Sequence, residues 1–374
     1  MITTLAFANY RSLRDLRLSV GRLTVITGAN GTGKSNVYRA LKLLVDAANG
    51  ELARSLAREG GMPSAMWAGE ESRRTRAKVD ESQRLGIGFG DGLIAYQLRL
   101  GYAGPGNGAF SLDPEVKVET IRTLEKPKVN LLERHLASAV LRDYEGHPVT
   151  FGVTLDMYES VLSQLAEPHR YPVLSLLRER LRRWRFYHQI RTDSDSPVRA
   201  LQIATRTPVL AHDGHDLAPA LQTIRENGDG PGLADAIADA FDGARVSCEG
   251  NRGRFALRFH AKGVSRPLDA AELSDGTLRY LALLAALRSP RPPELFVLNE
   301  PETSLHPSLL APLARQIIEA AKQSQVIVVS HAAPLVDAVA ATRDAVRIEL
   351  VKEEGATQVA GQERLDEPPW KWMS

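Results

Sequence analysis

The sequence is poor in cysteine, in net charge and in long apolar runs, and each shortage excludes a class of protein. Its one cysteine, Cys248, rules out an internal disulfide framework and a Cys-rich zinc site, which fits a reducing, cytoplasmic setting. Lys and Arg number 47 against 45 Asp and Glu, so no global field draws the chain to nucleic acid or to an anionic membrane. Such a partner has to be met by a local patch. No stretch approaches the roughly 18–20 apolar residues of a membrane span, and the first residues interleave Arg11, Arg14, Asp15 and Arg17 with apolar positions instead of forming a signal peptide. What remains is a chain of 374 residues, 43% hydrophobic and 25% charged. That is globular composition, with length for about two or three domains or one large domain with an insertion.

Along the chain, Leu23-Thr24-Val25-Ile26-Thr27 has the uniform apolar character of a buried strand stopped by glycine, and Ser35 to Ala48 carries Val37, Leu41 and Leu44 at helical spacing. From about Leu85 to Leu155 short alternating runs (87–89, 94–100, 116–118 and 149–153), separated by Gly, Asp and Pro, predict an antiparallel β meander. Residues 157–184 and 216–241 switch to helical periodicity, with a polar loop at 192–197 between them. Strand character returns at 254–260, helix at 276–288, strand at 295–298, helix at 308–322 and strand at 326–329. Alternating helices and fully apolar strands imply a parallel sheet covered on both faces. The expected division is an N-terminal half of the core with the β meander over 1–156, a helical insertion over 157–244, and the C-terminal half of the core over 245–374.

Gly28-Ala29-Asn30-Gly31-Thr32-Gly33-Lys34-Ser35 matches G-x-x-x-x-G-K-[ST] between a predicted strand and a predicted helix. Glycines let backbone N–H groups turn toward phosphates, the helix N-terminus adds partial positive charge, Lys34 neutralises β/γ oxygens and Ser35 offers a hydroxyl to Mg²⁺. Leu273-Ser274-Asp275-Gly276-Thr277 lies at a loop-to-helix boundary suited either to a phosphate or to a simple helix cap. The apolar strand 295–298 runs into Asn299-Glu300-Pro301-Glu302, and the strand 326–329 into Ser330-His331. Residues at the carboxyl ends of parallel strands face the ligand crevice, so Glu300 is a candidate to orient or deprotonate an attacking water.

Taken in order, these motifs resemble the head of an ABC-type ATPase, and their spelling is similar to the SMC, RecF and OLD-like group of AAA_21 type. Phe7-Ala8-Asn9-Tyr10-Arg11-Ser12-Leu13, the Leu278-Arg279 that follows the signature, and the Leu305-His306-Pro307 turn extend the likeness over most of the chain. The resemblance implies an α/β fold, a P-loop NTPase three-layer sandwich with an antiparallel β subdomain and a helical insertion. It further implies an ATPase that uses ATP and Mg²⁺ and sandwiches two nucleotides between two copies. By it, Asn30, Gly31, Thr32, Gly33, Lys34, Ser35 and Asn36 cradle the phosphates, Glu300 is the catalytic carboxylate, and His331 senses the γ-phosphate. Ser274 and Gly276 reach the nucleotide of the second copy, and Arg11 approaches the nucleotide from the N-terminus. Ser35, Asn299 and a glutamine, Gln164 or alternatively Gln97, stand on the metal side.

Asn299 departs from the group's pattern, which places an acid there. It keeps an oxygen acceptor but removes a charge near Mg²⁺, a loss of about 1–3 kcal/mol if one charge-assisted contact is weakened, so slow turnover is expected. The partner stays open between three readings. The first is DNA maintenance or phage defence, supported by Arg170–Arg206, where nine arginines face three carboxylates and Trp184, Phe186, Tyr187 and His188 are interleaved. The same segment also reads as a solvated helix face at the edge of a core. The second is a switch that controls a separately encoded effector, since the 43 residues after His331 are too few for the nuclease domain of OLD proteins. The third, a transporter subunit, is disfavoured by Asp275, where such signatures usually carry glycine. His212 and His215 lack a metal-ligand frame, and no membrane role is expected.

Overall fold

The computed structural model describes residues 1–69, 84–104, 108–150, 154–363 and 365–373. The chain divides into two compact units: Met1–Gly21, Thr27–Trp184 and Ile348–Ser374 form the first, and Arg22–Ile26 with Arg185–Arg347 the second. No helix among the described residues is long and apolar enough to cross a membrane.

The chain opens with strands β1 (Thr4–Tyr10) and β2 (Leu13–Ser19), crosses β3 (Leu23–Gly28), and enters helix α1 (Lys34–Ala48), followed by the short α2 (Leu52–Arg58) and α3 (Gly61–Ala65). Then come β4 (Leu85–Gly90), β5 (Ile94–Tyr102), β6 (Pro114–Thr123), β7 (Asn130–His135), β8 (Ser138–Arg142) and β9 (Pro148–Thr150). They form an antiparallel sheet in the order β2-β1-β4-β5-β6-β7-β8-β9. The pleat explains the unusual Leu-Gly-Ile-Gly-Phe-Gly of β4. Leu85, Ile87 and Phe89 are fully buried, while Gly86 and Gly88 leave room on the opposite face for Trp372 and Trp370 of the C-terminal segment. The expected strand 149–153 is present to Thr150; Phe151–Val153 lie outside the described residues. Helices α4 (Val161–Gln164) and α5 (Pro172–Arg182) complete this part of the unit, and α1 packs against β1, β4 and α5.

In the second unit β10 (Arg185–Tyr187) and β11 (Gln202–Ile203) precede helices α6 (Leu217–Asn227) and α7 (Gly230–Ala240), strands β12 (Arg245–Asn251), β13 (Arg254–His260) and β14 (Leu268–Asp269), and helix α8 (Asp275–Leu287). Strand β15 (Leu295–Asn299), helix α9 (Leu310–Ala321), strand β16 (Gln325–Val329) and helix α10 (Ala333–Ala340) follow. Four parallel strands stand in the order β10-β15-β16-β3, with Leu23–Ile26 of β3 pairing to Val326–Val329. Leu23, Val25, Phe296, Leu298, Val326 and Val328 share one core with α6, α8, α9 and α10. The alternate residues Ile26, Val297, Ile327 and Val329 are buried as well, so both faces are covered, as uniformly apolar strands require. The segment 157–244 therefore serves both units: α4 and α5 belong to the first, whereas β10, α6 and α7 belong to the second. The chain returns to the first unit along β17 (Ala345–Glu353), whose later residues pair antiparallel with β18 (Ala356–Val359).

Candidate nucleotide site

Strand β3 leaves the second unit after Ile26 and runs directly into Thr27, Gly28 and the glycine loop of the first. Gly33, at φ +101, is the N-cap of α1, and no side chain caps that helix start. A helix start that its N-cap residue leaves without a side-chain cap is the kind of turn that suits an anion. A Cβ on Gly33 would meet Thr357 Oγ1 at 2.1 Å and Ser12 Oγ at 2.6 Å, so the position excludes a side chain as well as favouring glycine's φ. Lys34 is buried and donates to the carbonyls of Gly28 at 2.7 Å and Ala29 at 2.9 Å, while Thr32 Oγ1 donates to Ala29 at 2.9 Å. Asn30 and Gly31 are exposed at the tip, and Ser35 is half-buried in the first turn of α1.

Local sequence gives no sign of what braces this loop. Asn36 Nδ2 donates to Ser12 Oγ (2.9 Å), the Ser12 hydroxyl pairs with Thr357 Oγ1 (2.7 Å), and Thr357 donates to the Thr32 carbonyl (2.7 Å). The relay joins three regions of the chain and fixes both flanks of Gly33. Arg11 has a left-handed backbone (φ +50), and its guanidinium binds Glu59 at 2.9 Å beside the Tyr10 hydroxyl. Gln164 accepts from Asp156 N and donates to the carbonyls of Asp156 and Glu159, and Gln97 is bonded in both directions to the backbone of Met373. Both candidate glutamines are therefore committed to backbone partners.

In the second unit Asn299 and Ile26 pair with the same residue, Val329, so the ends of β15, β16 and β3 share one edge. Asn299 is buried. Its Nδ2 donates to His188 Nδ1 at 2.8 Å, and its Oδ1 is enclosed without a hydrogen-bond partner among the described residues. Glu300, half-buried at φ +49, donates its N–H to the Val329 carbonyl. A left-handed glutamate at a strand end is the kind of strain that accumulates at functional positions. Arg279 of α8 donates to the carbonyls of Glu300 and His188, and burial lowers its basicity. Glu302, which sequence reasoning left without a role, organises the histidine turn: its Oε1 accepts from Ser330 Oγ at 2.7 Å and from the N–H groups of His331 and Ala332. The His331 ring stays half-exposed, with Nδ1 3.4 Å from the same oxygen.

Ser274 caps α8: its Oγ accepts from Thr277 N at 3.2 Å and pairs with Thr277 Oγ1 at 2.9 Å. Gly276 is required by crowding, since a Cβ there would lie 2.6 Å from the Ser304 carbonyl. The arginine-rich segment is largely internal in its bonding. Arg180 pairs with Asp91, Arg178 donates to Leu165, Arg182 to Asn49, and Arg191 pairs with Asp193. Trp184, Phe186 and Tyr187 are core residues, so those rings offer no face to a base. His212 Nδ1 lies 3.0 Å from the Phe186 carbonyl and His215 pairs with Asp213, both in loop positions.

The family model described as AAA domain, putative AbiEii toxin, Type IV TA system matches residues 23–100 and 156–337, more than half of the chain. The chain is also similar to solved Smc head domains. That of Pyrococcus furiosus, with an extended coiled coil and bound to the C-terminal domain of ScpA, is 12% identical, with 96% of this chain and 95% of that one covered and a TM-score of 0.52. That of Pyrococcus yayanosii, with a coiled coil and joint, is 10% identical, covers 98% of both chains and has a TM-score of 0.52. A SmcHead bound to the C-winged helix domain of ScpA is 15% identical, with 96% and 97% covered and a TM-score of 0.51. At such identities the likeness is one of fold. No curated protein matches the chain in sequence.

Proposed function

The chain belongs to the AAA_21 family and has the ABC-type ATPase fold of SMC heads, and from that premise we propose that it is a slow, ATP-driven dimerisation switch. The observation that carries this reading is the start of α1, where a left-handed Gly33, a helix without a side-chain cap and the Lys34 ammonium converge on the loop 28–34. Together they complement a triphosphate. On binding, Lys34 exchanges the carbonyls of Gly28 and Ala29 for phosphate oxygens. Asn30, Gly31, Thr32, Gly33, Ser35 and Asn36 line the same cradle, with Arg11 at its N-terminal side.

Each residue named for Mg²⁺ fits that ion by its own chemistry: Ser35 offers a hydroxyl, and Asn299 an enclosed Oδ1 without a hydrogen-bond partner among the described residues, both hard oxygens of the kind it takes. Such an ion would supply positive charge that offsets the negative charge of the triphosphate. Neither Gln97 nor Gln164 is given a metal role, because both amides are committed to backbone groups. Glu300 orients the attacking water and takes its proton as the water oxygen bonds to Pγ and the bond from Pγ to the β-phosphate oxygen breaks, giving ADP and phosphate. His331, held by Glu302 and Ser330, reports the γ-phosphate. Ser274 and Gly276 serve the nucleotide of a second copy. The neutral Asn299 makes turnover slow.

DNA maintenance or phage defence in the cytoplasm is the process that the reading favours, with output through a separately encoded effector protein. Burial of Trp184, Phe186 and Tyr187 speaks against stacking of that segment on bases, and two solved SMC heads of similar fold are bound to domains of ScpA, a separate protein. Sizing the protein with and without ATP·Mg²⁺ tests the switch. A monomer-to-dimer shift abolished by Lys34→Ala and by Ser274→Arg is expected; an unchanged monomer at saturating ATP overturns it. Binding of DNA at low salt, lost steeply as salt rises, would move the output from an effector to DNA itself.

A further inference from the structure

The turn that carries Ser274 is not held by its own segment. Arg199 Nη1 donates to the carbonyls of Ala270 (3.1 Å), Ala271 (3.1 Å) and Leu273 (2.7 Å), and Nη2 to Asp275 Oδ1 (2.6 Å). Its Nε donates to the carbonyls of Thr192 (2.8 Å) and Asp193 (3.2 Å). The backbone turn that carries Arg199 is fixed in its own right. Ser196, buried, caps the turn 197–199 by accepting from Val198 N, and its hydroxyl donates to the Arg191 carbonyl at 2.6 Å.

Two physical consequences follow. Carbonyls converging from one short stretch of backbone repel one another unless a multidentate donor lies between them, and a planar fork does this where a lysine point charge cannot. Further, Asp275 puts a negative charge in the first turn of α8. That charge suits the helix dipole but opposes an incoming phosphate. The Arg199 side chain is 13% exposed against 57% for Asp275, so the cation sits on the protein side of the pair and offsets the carboxylate without covering Ser274.

We propose that Arg199 is a positioning residue for the signature turn: it fixes the backbone Ala270–Asp275 and offsets the Asp275 charge, so that Ser274 and the start of α8 can accept the γ-phosphate of a second copy. The functional half rests on the dimerisation reading above; the positioning half does not. The experiment therefore reads both in Arg199→Ala, Arg199→Lys and Arg199→Ala/Asp275→Asn. In the nucleotide-free protein, amide hydrogen exchange over 273–278 should quicken about tenfold or more in both single variants while that of α1 stays unchanged. Unchanged exchange overturns the clamp. Binding of a fluorescent ATP analogue to the monomer should be unaffected, while the ATP-dependent dimer is lost in both single variants and partly restored by Asp275→Asn, which removes the opposing charge. A variant that dimerises like wild type despite faster exchange overturns the functional half. A wild type that never dimerises defeats the earlier reading and leaves the exchange result to decide the clamp. If Arg199→Ala does not fold, Arg199→Lys, which keeps the charge and loses the fork, gives the same two readouts.

Discussion

The two turns proposed to meet phosphate are built on opposite principles. At 28–34 the backbone is shaped by glycine, the helix starts uncapped, and the cation, Lys34, belongs to the motif itself. At 273–276 the helix is capped by its own serine, the motif carries an acid, and the cation comes from Arg199, far away in sequence. The first turn is shaped by residue type and only braced from outside by the Ser12–Thr357 relay, whereas the second depends on a tertiary contact for its cation. Disruption should therefore act locally and on binding at the first, and on backbone order and assembly at the second.

The largest expected effect breaks the comparison at its chemical end. Lys34→Ala removes a charged donor, and nucleotide affinity should fall about ten- to a hundredfold, since charge-assisted contacts contribute roughly 1.5–3 kcal/mol. Titration with a fluorescent ATP analogue checks this, and hydrogen exchange over 273–278 should not change. Gly276→Ala comes next. The new Cβ, 2.6 Å from the Ser304 carbonyl, must displace that turn at a cost of about 1–3 kcal/mol, read as a lower urea midpoint together with loss of the ATP-dependent dimer.

Thr357→Val sharpens the contrast from the other side. It severs the relay from Asn36 through Ser12 to Thr32 and should cost about 1 kcal/mol of stability. ATP affinity should weaken only a few-fold, because the glycines still set the loop. The smallest effect is a control. Burial pushes the Cys248 thiol up to about 12, so the reactive thiolate is scarce at pH 8 and iodoacetamide should label the native protein hardly at all, with reactivity rising as pH approaches that value. Unchanged labelling in Gly276→Ala would show that its damage stays at the turn; rapid labelling would mean that the second unit has opened as a whole.

Strong periodic segments were legible without coordinates. The expected strands 295–298 and 326–329 are β15 and β16, and the helices 276–288 and 308–322 are α8 and α9 within about two residues. The run 216–241 reads as one helix, yet it is two, because the Gly228-Asp229-Gly230 junction ends α6 and Asp229 caps α7. The hairpin of β7 and β8 was missed. Its strands mix charged residues with Leu132, Ala139 and Leu141, and Arg134, fully buried, is satisfied by the carbonyls of Leu136, Asp156 and Glu159, which no local pattern reveals. Strand β10 was hidden in the arginine-rich stretch because three residues are too few to show alternation.

At the candidate site the same rule separates what the sequence could suggest from what it could not. The glycine loop, the acidic strand end and His331 could be named because their chemistry is contiguous. Ser12, Thr357, Glu302, His188 and Arg199 could not, since each works through a partner distant in sequence.

The sequence by itself determined the alternation of apolar strands and helices and the residue types of both candidate phosphate turns, because hydrophobic periodicity and glycine stereochemistry act over a few residues. Only the tertiary structure decided which groups hold those turns. It spent the glutamines on backbone amides, buried the aromatic rings of the arginine segment, and gave Arg199 to the signature turn. Each outcome depends on which donors and acceptors folding brings within 3 Å or so of one another, and a hydrogen bond at that range has no signature in linear order.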